Sequence, residues 1–556
     1  MADKMDVIIV SMTLLFDHLI VPLLVGLLFA FLVELLLIPK AQVFWKRPLA
    51  ANLLHVGGWL FFFCFELLLF QRPWFAMANV VAWHLVLILV NNAKYHVLRE
   101  PFLFYDFEYL VDAIQHPRLY LPFVGVMNAV IALIVLVVVI AVGVFIEPSL
   151  LHSGQTDFWV VVWLCLLVIS LCMLVMGYRR IDQNMPLHLD PELDFKQLGQ
   201  GGFLWYYAKL HFSHPQLKHA KKLVRKSAGL FRKKKRSAPA PQSFTTPPVS
   251  DTHIHSLPDI VCVQSESFFD PRIYYDCVDP AVLAGFDQIC QQALSYGSLN
   301  VPAWGANTIR TEAAFLSGIA PHAMGVNQFS PYRHFLKNPQ TTVAHQLKAM
   351  GYKTVCIHPY PASFYQRDKL YPQLGFDRFI DIEAFDSKDK VGQYIGDHAL
   401  TEQVRQLLSH TSGPSFIYII TMENHGPLHL EKPTDEDIER FYVDQQPVGC
   451  EDLSVYLRHL HNADRMAVDL SNLLKTRNNG GLLCWYGDHV PIMSKVYQCL
   501  GAPSGDTRYF IWSSHKGQSA EAPKKEQSKA VSGLASELMS VVLDTQKRNY
   551  HEGDTG

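Results

Sequence analysis

Ten cysteines are scattered through the 556 residues without one Cys-x-x-Cys pair. That absence excludes a zinc knuckle and a thioredoxin-like redox site, and the spacing offers no disulfide framework. No removable signal peptide is expected, because the first apolar run is too long and lacks an obvious small-residue cleavage site. Acidic residues are absent between positions 196 and 250, where twelve Lys or Arg occur. A stretch so unbalanced, ending in FRKKKRSAPAPQSFTTPPVS, is not expected to fold on its own. Its basic block, closing at Arg236, suits anionic lipid headgroups at about 1 kcal/mol per charge. The Pro-rich part that follows is expected to be extended and mobile. Nucleic acid is the usual rival partner for such a run, but a tether beside a membrane needs fewer assumptions.

What is present divides the chain in two. From Asp6 to Tyr178 long apolar runs alternate with short polar pieces, whereas from Asp251 onward the sequence is mixed and punctuated by turns. Five runs, 7 to 38, 50 to 70, 75 to 92, 121 to 146 and 158 to 178, approach or exceed the roughly 20 apolar residues of a bilayer crossing. The first carries Asp17, His18 and Glu34. An Asp-His pair there reads as a helix contact inside the bundle, with a functional role as its rival. The expected plan is a transmembrane bundle over 1–180, a basic juxtamembrane linker over 181–250 and a globular domain over 251–550. Lys40, Lys46, Arg47, Lys94, Arg99, Arg118, Arg179 and Arg180 lie in the loops that precede and follow alternate spans. The positive-inside rule applied to them puts the globular domain in the cytoplasm.

The globular part alternates strand-like and helix-like stretches. DIVCVQSE (259 to 266), YKTVCIHP (352 to 359), SFIYIITMENH (415 to 425) and GLLCWYGDH (481 to 489) are short β-branched or aromatic runs with polar ends. Amphipathic segments such as 341 to 351 and 452 to 475 lie between them. That order predicts an α/β domain with a central, largely parallel sheet flanked by helices, and ligands gather where such strands end. Glu266, His358, His425, Asp488 and His489 fall at those ends. Two carboxylates and an imidazole suit a borderline divalent ion such as zinc or manganese. For each acid singly, a solvated or capping role at a strand end is the ordinary alternative.

Thr308 opens the apolar helix-like stretch in WGANTIRTEAAFLSG (304 to 318). A threonine hydroxyl is a poor nucleophile at neutral pH and needs a base or a cation beside it. At a helix start it would also have backbone N–H groups near a phosphate. The competing role is an N-cap, with Thr311 or Glu312 completing a capping box.

QSESFFD, GANTIRTEAAFLSG, HPYPASFYQRDKLYPQLGF, TMENHGP and YGDHVP, in that order over 259 to 495, resemble the lipoteichoic acid synthase and phosphoglycerol transferase branch of the alkaline phosphatase and sulfatase superfamily. REPFLFYDFEYL after the third span and the five-span bundle resemble it too. The resemblance implies that Glu266, Thr308, Asp488 and His489 surround one divalent cation, manganese first, with zinc and magnesium as alternatives. It implies Thr308 as the nucleophile toward phosphatidylglycerol, and His358, Arg367 and His425 as contacts to the phosphoglycerol. The implied acceptor is a glycan or polyglycerol phosphate. It further implies a multi-pass protein of a bacterial cytoplasmic membrane with the catalytic domain on the extracytoplasmic side, opposite to the charge count. The sulfatase signature Cys-x-Pro-x-Arg is absent, which disfavours sulfate-ester hydrolysis. Phosphoethanolamine transfer is the nearest chemical rival, and a catalytically inactive lipid-headgroup sensor or scaffold is the rival of another class. Asn307, Arg310 and Glu423 sit beside matched positions without an assigned role.

Overall fold

The computed structural model describes residues 15–109, scattered positions between 134 and 150, and residues 156–181, 188–212, 257–515 and 525–553. The chain forms two compact units, Met1–Gln216 and Leu217–Gly556.

Among the described residues of the first unit, four helices are long and apolar enough to cross a membrane: Phe16–Leu36, Leu49–Phe70, Pro73–Leu98 and Asp157–Arg180. They match four of the five expected spans; most of the remaining one, 121 to 146, lies outside the described residues. Gln71 in the left-handed conformation ends one helix, and Pro73 starts the next at a position where its missing N–H costs nothing. Small residues let two of the helices approach closely. A Cβ at Gly57 would lie 3.0 Å from Cβ of Met173, and Ser170 Oγ donates to the Gly57 carbonyl at 2.9 Å.

Two expectations for this unit need correcting. Asp17 and His18 are exposed rather than in contact inside the bundle, and the buried acid of that span is Glu34. The π-helical turn Phe16–Ile20 buries only Leu19, which leaves its polar pair outward. The stretch expected as a linker also begins with structure, for Pro191–Phe212 is helical with a kink at Gly199, and its Phe195, Leu198, Phe203, Tyr206 and Tyr207 are buried. Those apolar and aromatic residues outweigh the two lysines that made the stretch read as part of the basic run. The basic block itself, and the Pro-rich segment after it, lie outside the described residues.

The second unit is built on an eight-stranded sheet. In chain order the strands of the unit are β1 (Asp259–Ser265), β2 (Ser295–Asn300), β3 (Lys353–Ile357), β4 (Arg378–Ile380), the short hairpin β5 (Lys390–Val391) and β6 (Tyr394–Ile395), β7 (Ser415–Ile420), β8 (Gly481–Gly487), β9 (Thr507–Ser513) and β10 (Lys529–Ala530). The large sheet runs β10-β2-β9-β8-β1-β7-β3-β4, with β9 antiparallel to both neighbours and the other pairs parallel. The four strands expected from sequence are its centre, β8-β1-β7-β3.

These central strands are apolar nearly throughout because both faces are covered. Val261, Val263, Ile417, Ile419, Leu483 and Trp485 join the core that contains Leu453, Tyr456, Leu460 and Leu470 of the long helix Glu451–Lys475. On the opposite face Phe315, from the helix Thr308–Ser317, lies 4.7 Å from the ring of Tyr486 and 5.8 Å from that of Tyr418.

Candidate active site

Register brings the polar strand ends together. Ser265 of β1 pairs with Gly487 of β8, so Glu266 and Asp488 leave neighbouring strands side by side although 222 residues separate them. One ligand atom from each of Glu266, Asp488 and His489 lies within 4.8 Å of the others, and all three residues are buried. Nε2 of His489 is 3.5 Å from Oε1 of Glu266 and 3.4 Å from Oδ2 of Asp488.

Main-chain and hydroxyl contacts fix these groups. Asp488 Oδ1 accepts from the backbone N–H of Ser267 at 2.8 Å and of His489 at 2.9 Å. Ser267 Oγ donates to Glu266 Oε1 at 3.0 Å, and the Glu266 N–H donates to Thr421 Oγ1 at 2.9 Å. His489 Nδ1 lies 3.0 Å from the Val490 carbonyl; donation there leaves Nε2 as the lone-pair nitrogen facing the carboxylates.

The donor set fits a divalent cation. Asp488 Oδ2 is buried with no hydrogen-bond partner among the described residues, an arrangement that is costly without a positive charge near it. Burial, and then the neighbouring Asp488 charge, push the Glu266 carboxyl well above the usual carboxylate range. Two acids in one dry site call for a cation, and two carboxylates with an imidazole are donors that zinc and manganese accept.

Thr308 stands at this cluster, half-buried, with Oγ1 3.5 Å from Nε2 of His489. It is the first residue of the helix Thr308–Ser317 rather than its cap. Asn307 occupies the cap position in the left-handed conformation, and its side chain makes no capping bond. The expected alternative of a Thr308 capping box is therefore not what the chain forms. Thr311 instead donates its hydroxyl to the Asp488 carbonyl at 2.9 Å, tying the helix start to the end of β8.

His358 and Arg367 are both buried. His358 follows β3 and is buried, with Nδ1 3.1 Å from the Ile420 carbonyl and Nε2 3.2 Å from an Arg367 nitrogen. Arg367 Nη2 donates to Glu312 Oε1 at 2.5 Å, and the residue is buried. Glu312 Oε2 accepts from Tyr371 at 2.7 Å and also from Tyr332. The guanidinium fork that the resemblance assigns to phosphate thus already holds Glu312 and His358. Burial, and then Arg367, lower the His358 pKa far below its ordinary value, so its ring is neutral. His425 differs: Nδ1 contacts the Gly426 carbonyl at 2.7 Å and no hydrogen bond to Nε2 occurs among the described residues. Burial lowers its pKa too.

Several residues of this region were not reached from sequence. Ser267 was adjacent to Glu266 in QSES, and Glu312 sits one helical turn after Thr308, so both were findable by spacing. Tyr332 and Tyr371 gave no signal. Glu423 now has a place: it receives the Asp397 N–H at 2.7 Å and the Asn462 amide at 2.6 Å, and lies 2.9 Å from His459 Nδ1. Arg310 lies over the Phe329 ring at 5.3 Å.

A family model described as Sulfatase matches residues 258–545, more than half of the chain. The capsular polysaccharide biosynthesis protein RkpI of Rhizobium meliloti (strain 1021) is 25% identical over 473 residues, covering 82% of this chain and 80% of that protein. Lipoteichoic acid synthase of Staphylococcus aureus (strain USA300) is 26% identical over 146 residues, 26% of this chain and 22% of that one. Among solved structures, the Streptococcus pyogenes phosphoglycerol transferase GacH in complex with sn-glycerol-1-phosphate matches with a TM-score of 0.42 and 20% identity, over 59% of this chain and 82% of that one.

Proposed function

Because this chain belongs to the sulfatase family, we propose that it is a membrane-bound, metal-dependent transferase that moves glycerol phosphate from phosphatidylglycerol to an envelope glycan or a polyglycerol phosphate. The observation that carries the proposal is the approach of Thr308 Oγ1 to His489 Nε2, beside the buried Glu266 and Asp488. No cysteine stands where a sulfatase nucleophile would be, and a hydroxyl takes its place. The relatives' printed names point to phosphoglycerol transfer and to polysaccharide biosynthesis, which supports the choice of headgroup and of acceptor class.

Glu266, Asp488 and His489 would hold a divalent ion, manganese or zinc by their chemistry, with Thr308 as the fourth group. Such an ion, when bound, lowers the pKa of an alcohol and shields the negative charge of a phosphate. Thr308 Oγ attacks the phosphorus of the donor lipid as the bond to the diacylglycerol oxygen breaks. The hydroxyl proton is lost from Thr308, and the departing diacylglycerol oxygen takes up one proton. The headgroup is then held as glycerophosphoryl-Thr308. In the second half the acceptor hydroxyl loses its proton, attacks the same phosphorus and regenerates the threonine. His425, neutral at pH 7 and with Nε2 open, is the ring we assign to carrying protons between these alcohols. The N-terminus of the helix Thr308–Ser317 directs backbone N–H groups toward the phosphate. Arg367, held by Glu312, fixes His358 as a positioning residue.

On this proposal the catalytic unit lies outside the cytoplasmic membrane, where donor headgroups and envelope glycans meet. An activity-reporter fusion at the C-terminus tests that side, and a cytoplasmic signal would overturn it. The chemistry is tested by mass spectrometry of the full-length protein incubated with phosphatidylglycerol and manganese without acceptor. A glycerophosphoryl mass on Thr308 is expected. A phosphoethanolamine mass from the corresponding lipid, with none from phosphatidylglycerol, would reassign the headgroup. No adduct with either lipid under any divalent cation would leave a headgroup-binding module instead.

A further inference from the structure

The membrane unit contains a polar cluster that the transfer reaction does not use. Glu34 lies near the end of the first span, His55 in the helix Leu49–Phe70 and His84 in the helix Pro73–Leu98. One ligand atom from each of the three lies within 4.8 Å of the others. Glu34 and His55 are only 4% and 5% exposed, among apolar neighbours where ionisable groups are expensive and usually functional.

The carboxylate divides its oxygens. Oε2 of Glu34 accepts from Arg47 at 2.5 Å, whereas Oε1 lies 3.6 Å from Nδ1 of His55. The rings of His55 and His84 stand 5.5 Å apart between centroids. An ion pair between Glu34 and Arg47 accounts for those two residues and leaves the imidazoles unexplained. Nε2 of His55 is buried and has no hydrogen-bond partner among the described residues. Every protonation state of imidazole makes that nitrogen a donor or an acceptor, so a buried bond is left unmade.

The helix Pro191–Phe212 closes over the cluster. The Gln200 N–H donates to Glu34 Oε1 at 3.3 Å, and the Gln200 side-chain amide is buried with neither polar atom partnered among the described residues. A Cβ at Gly201 would come 3.1 Å from Nδ1 of His55, so glycine there permits the close approach.

We propose that Glu34, His55 and His84 form a second divalent-cation site, for zinc, inside the membrane unit. Two imidazoles and one carboxylate are a zinc donor set, and a cation accepts the lone pair that His55 otherwise buries without a partner. Arg47, on the far oxygen, orients the carboxylate as outer-shell groups do for metal ligands. The ion joins three spanning helices and needs no contribution from Thr308 or its neighbours.

The test uses the full-length protein in detergent, purified without a histidine tag and carrying Glu266→Gln and Asp488→Asn to remove the first cation. After equilibration with buffered zinc and removal of excess, elemental analysis is expected to find about one zinc per chain. Adding His55→Gln and His84→Gln is expected to remove it, with helicity and elution volume checked in the same samples. Cobalt in place of zinc, in the protein that keeps both histidines, is expected to give the visible bands of a four-coordinate site. The cobalt bands decide even where the histidine variants fail to fold. Protein with both histidines that binds neither metal overturns the proposal, as does equal zinc with and without them. Neither outcome touches the reaction proposed at Thr308, because no lipid is turned over.

Discussion

Replacing Glu312 by glutamine keeps the shape of the side chain and removes its charge. In the native protein Glu312 and Arg367 are an ion pair with side-chain exposures of 0% and 2%. Removing one partner of such a pair leaves the other buried and uncompensated, which costs about 3 to 5 kcal/mol. Tyr332 and Tyr371 also lose a charged acceptor, but glutamine offers its own carbonyl oxygen, so that contribution is smaller. Arg367→Met strands the opposite charge and is expected to cost a similar amount. The double variant leaves no stranded charge and is expected to cost no more than either single one, a coupling of roughly 3 kcal/mol or more. For the full-length protein followed by tryptophan fluorescence, the single variants should melt roughly 10 °C lower. Buried Trp485, in the core of the second unit, contributes to that signal alongside the tryptophans of the first unit. A single variant within about 1 kcal/mol of wild type, or a double variant as damaged as the sum of the singles, would refute the pairing as the source of stability.

Thr308→Ala is expected to abolish both the glycerophosphoryl adduct and diacylglycerol release, while Thr308→Ser retains part of the release; an assay with fluorescent phosphatidylglycerol reads both. Chelation of divalent ions should stop the release reversibly, and Asp488→Asn should raise the manganese concentration needed for half activity by roughly 10-fold or more. His459 gives a pH prediction. Burial works against its charge, but Glu423 and Glu431 outweigh burial and raise its pKa from 6.5 to about 9. The folded-state value lies above the unfolded one, so the stabilisation is complete below pH 6.5 and is lost as pH rises through about 9. At full strength it amounts to about 3 kcal/mol. Melting temperatures of wild type and His459→Gln should therefore converge between pH 6.5 and 9, and a constant difference would refute the charged ring.

The centre of the sheet was legible because β8, β1 and β7 are buried throughout and read as largely apolar runs with polar ends, while the shorter β3 shows the same β-branched character with only its start exposed. The outer strands were not. Ser295–Asn300 alternates in burial and contains a glycine, Arg378–Ile380 spans three residues, and Lys529–Ala530 spans two, too few for a period to emerge. Thr507–Ser513 is apolar enough, but its antiparallel place between β2 and β8 depends on partners far away in sequence. The convergence of Glu266, Asp488 and His489 was accessible because they end recognisable strands, and Thr308 drew notice because it opens a helix in a motif with a family resemblance. The environment of Arg367 was hidden: its partners Glu312 and His358, and the tyrosines Tyr332 and Tyr371 that hold Glu312, come from separate segments, and only folding shows that the fork is already filled. The start of the supposed linker was misjudged because its lysines were counted with the basic run, while its aromatic side chains find a buried face.

The level pairing of Ser265 with Gly487 has a consequence for how the protein is made. A ribosome releases Glu266 and Thr308 long before Asp488 and His489, so a half-synthesised chain carries an alcohol with only part of the surroundings that would make it attack. If Thr308 attacks lipid as proposed, that reactivity switches on only once β8 has docked beside β1, and a chain ending before that strand would release no diacylglycerol.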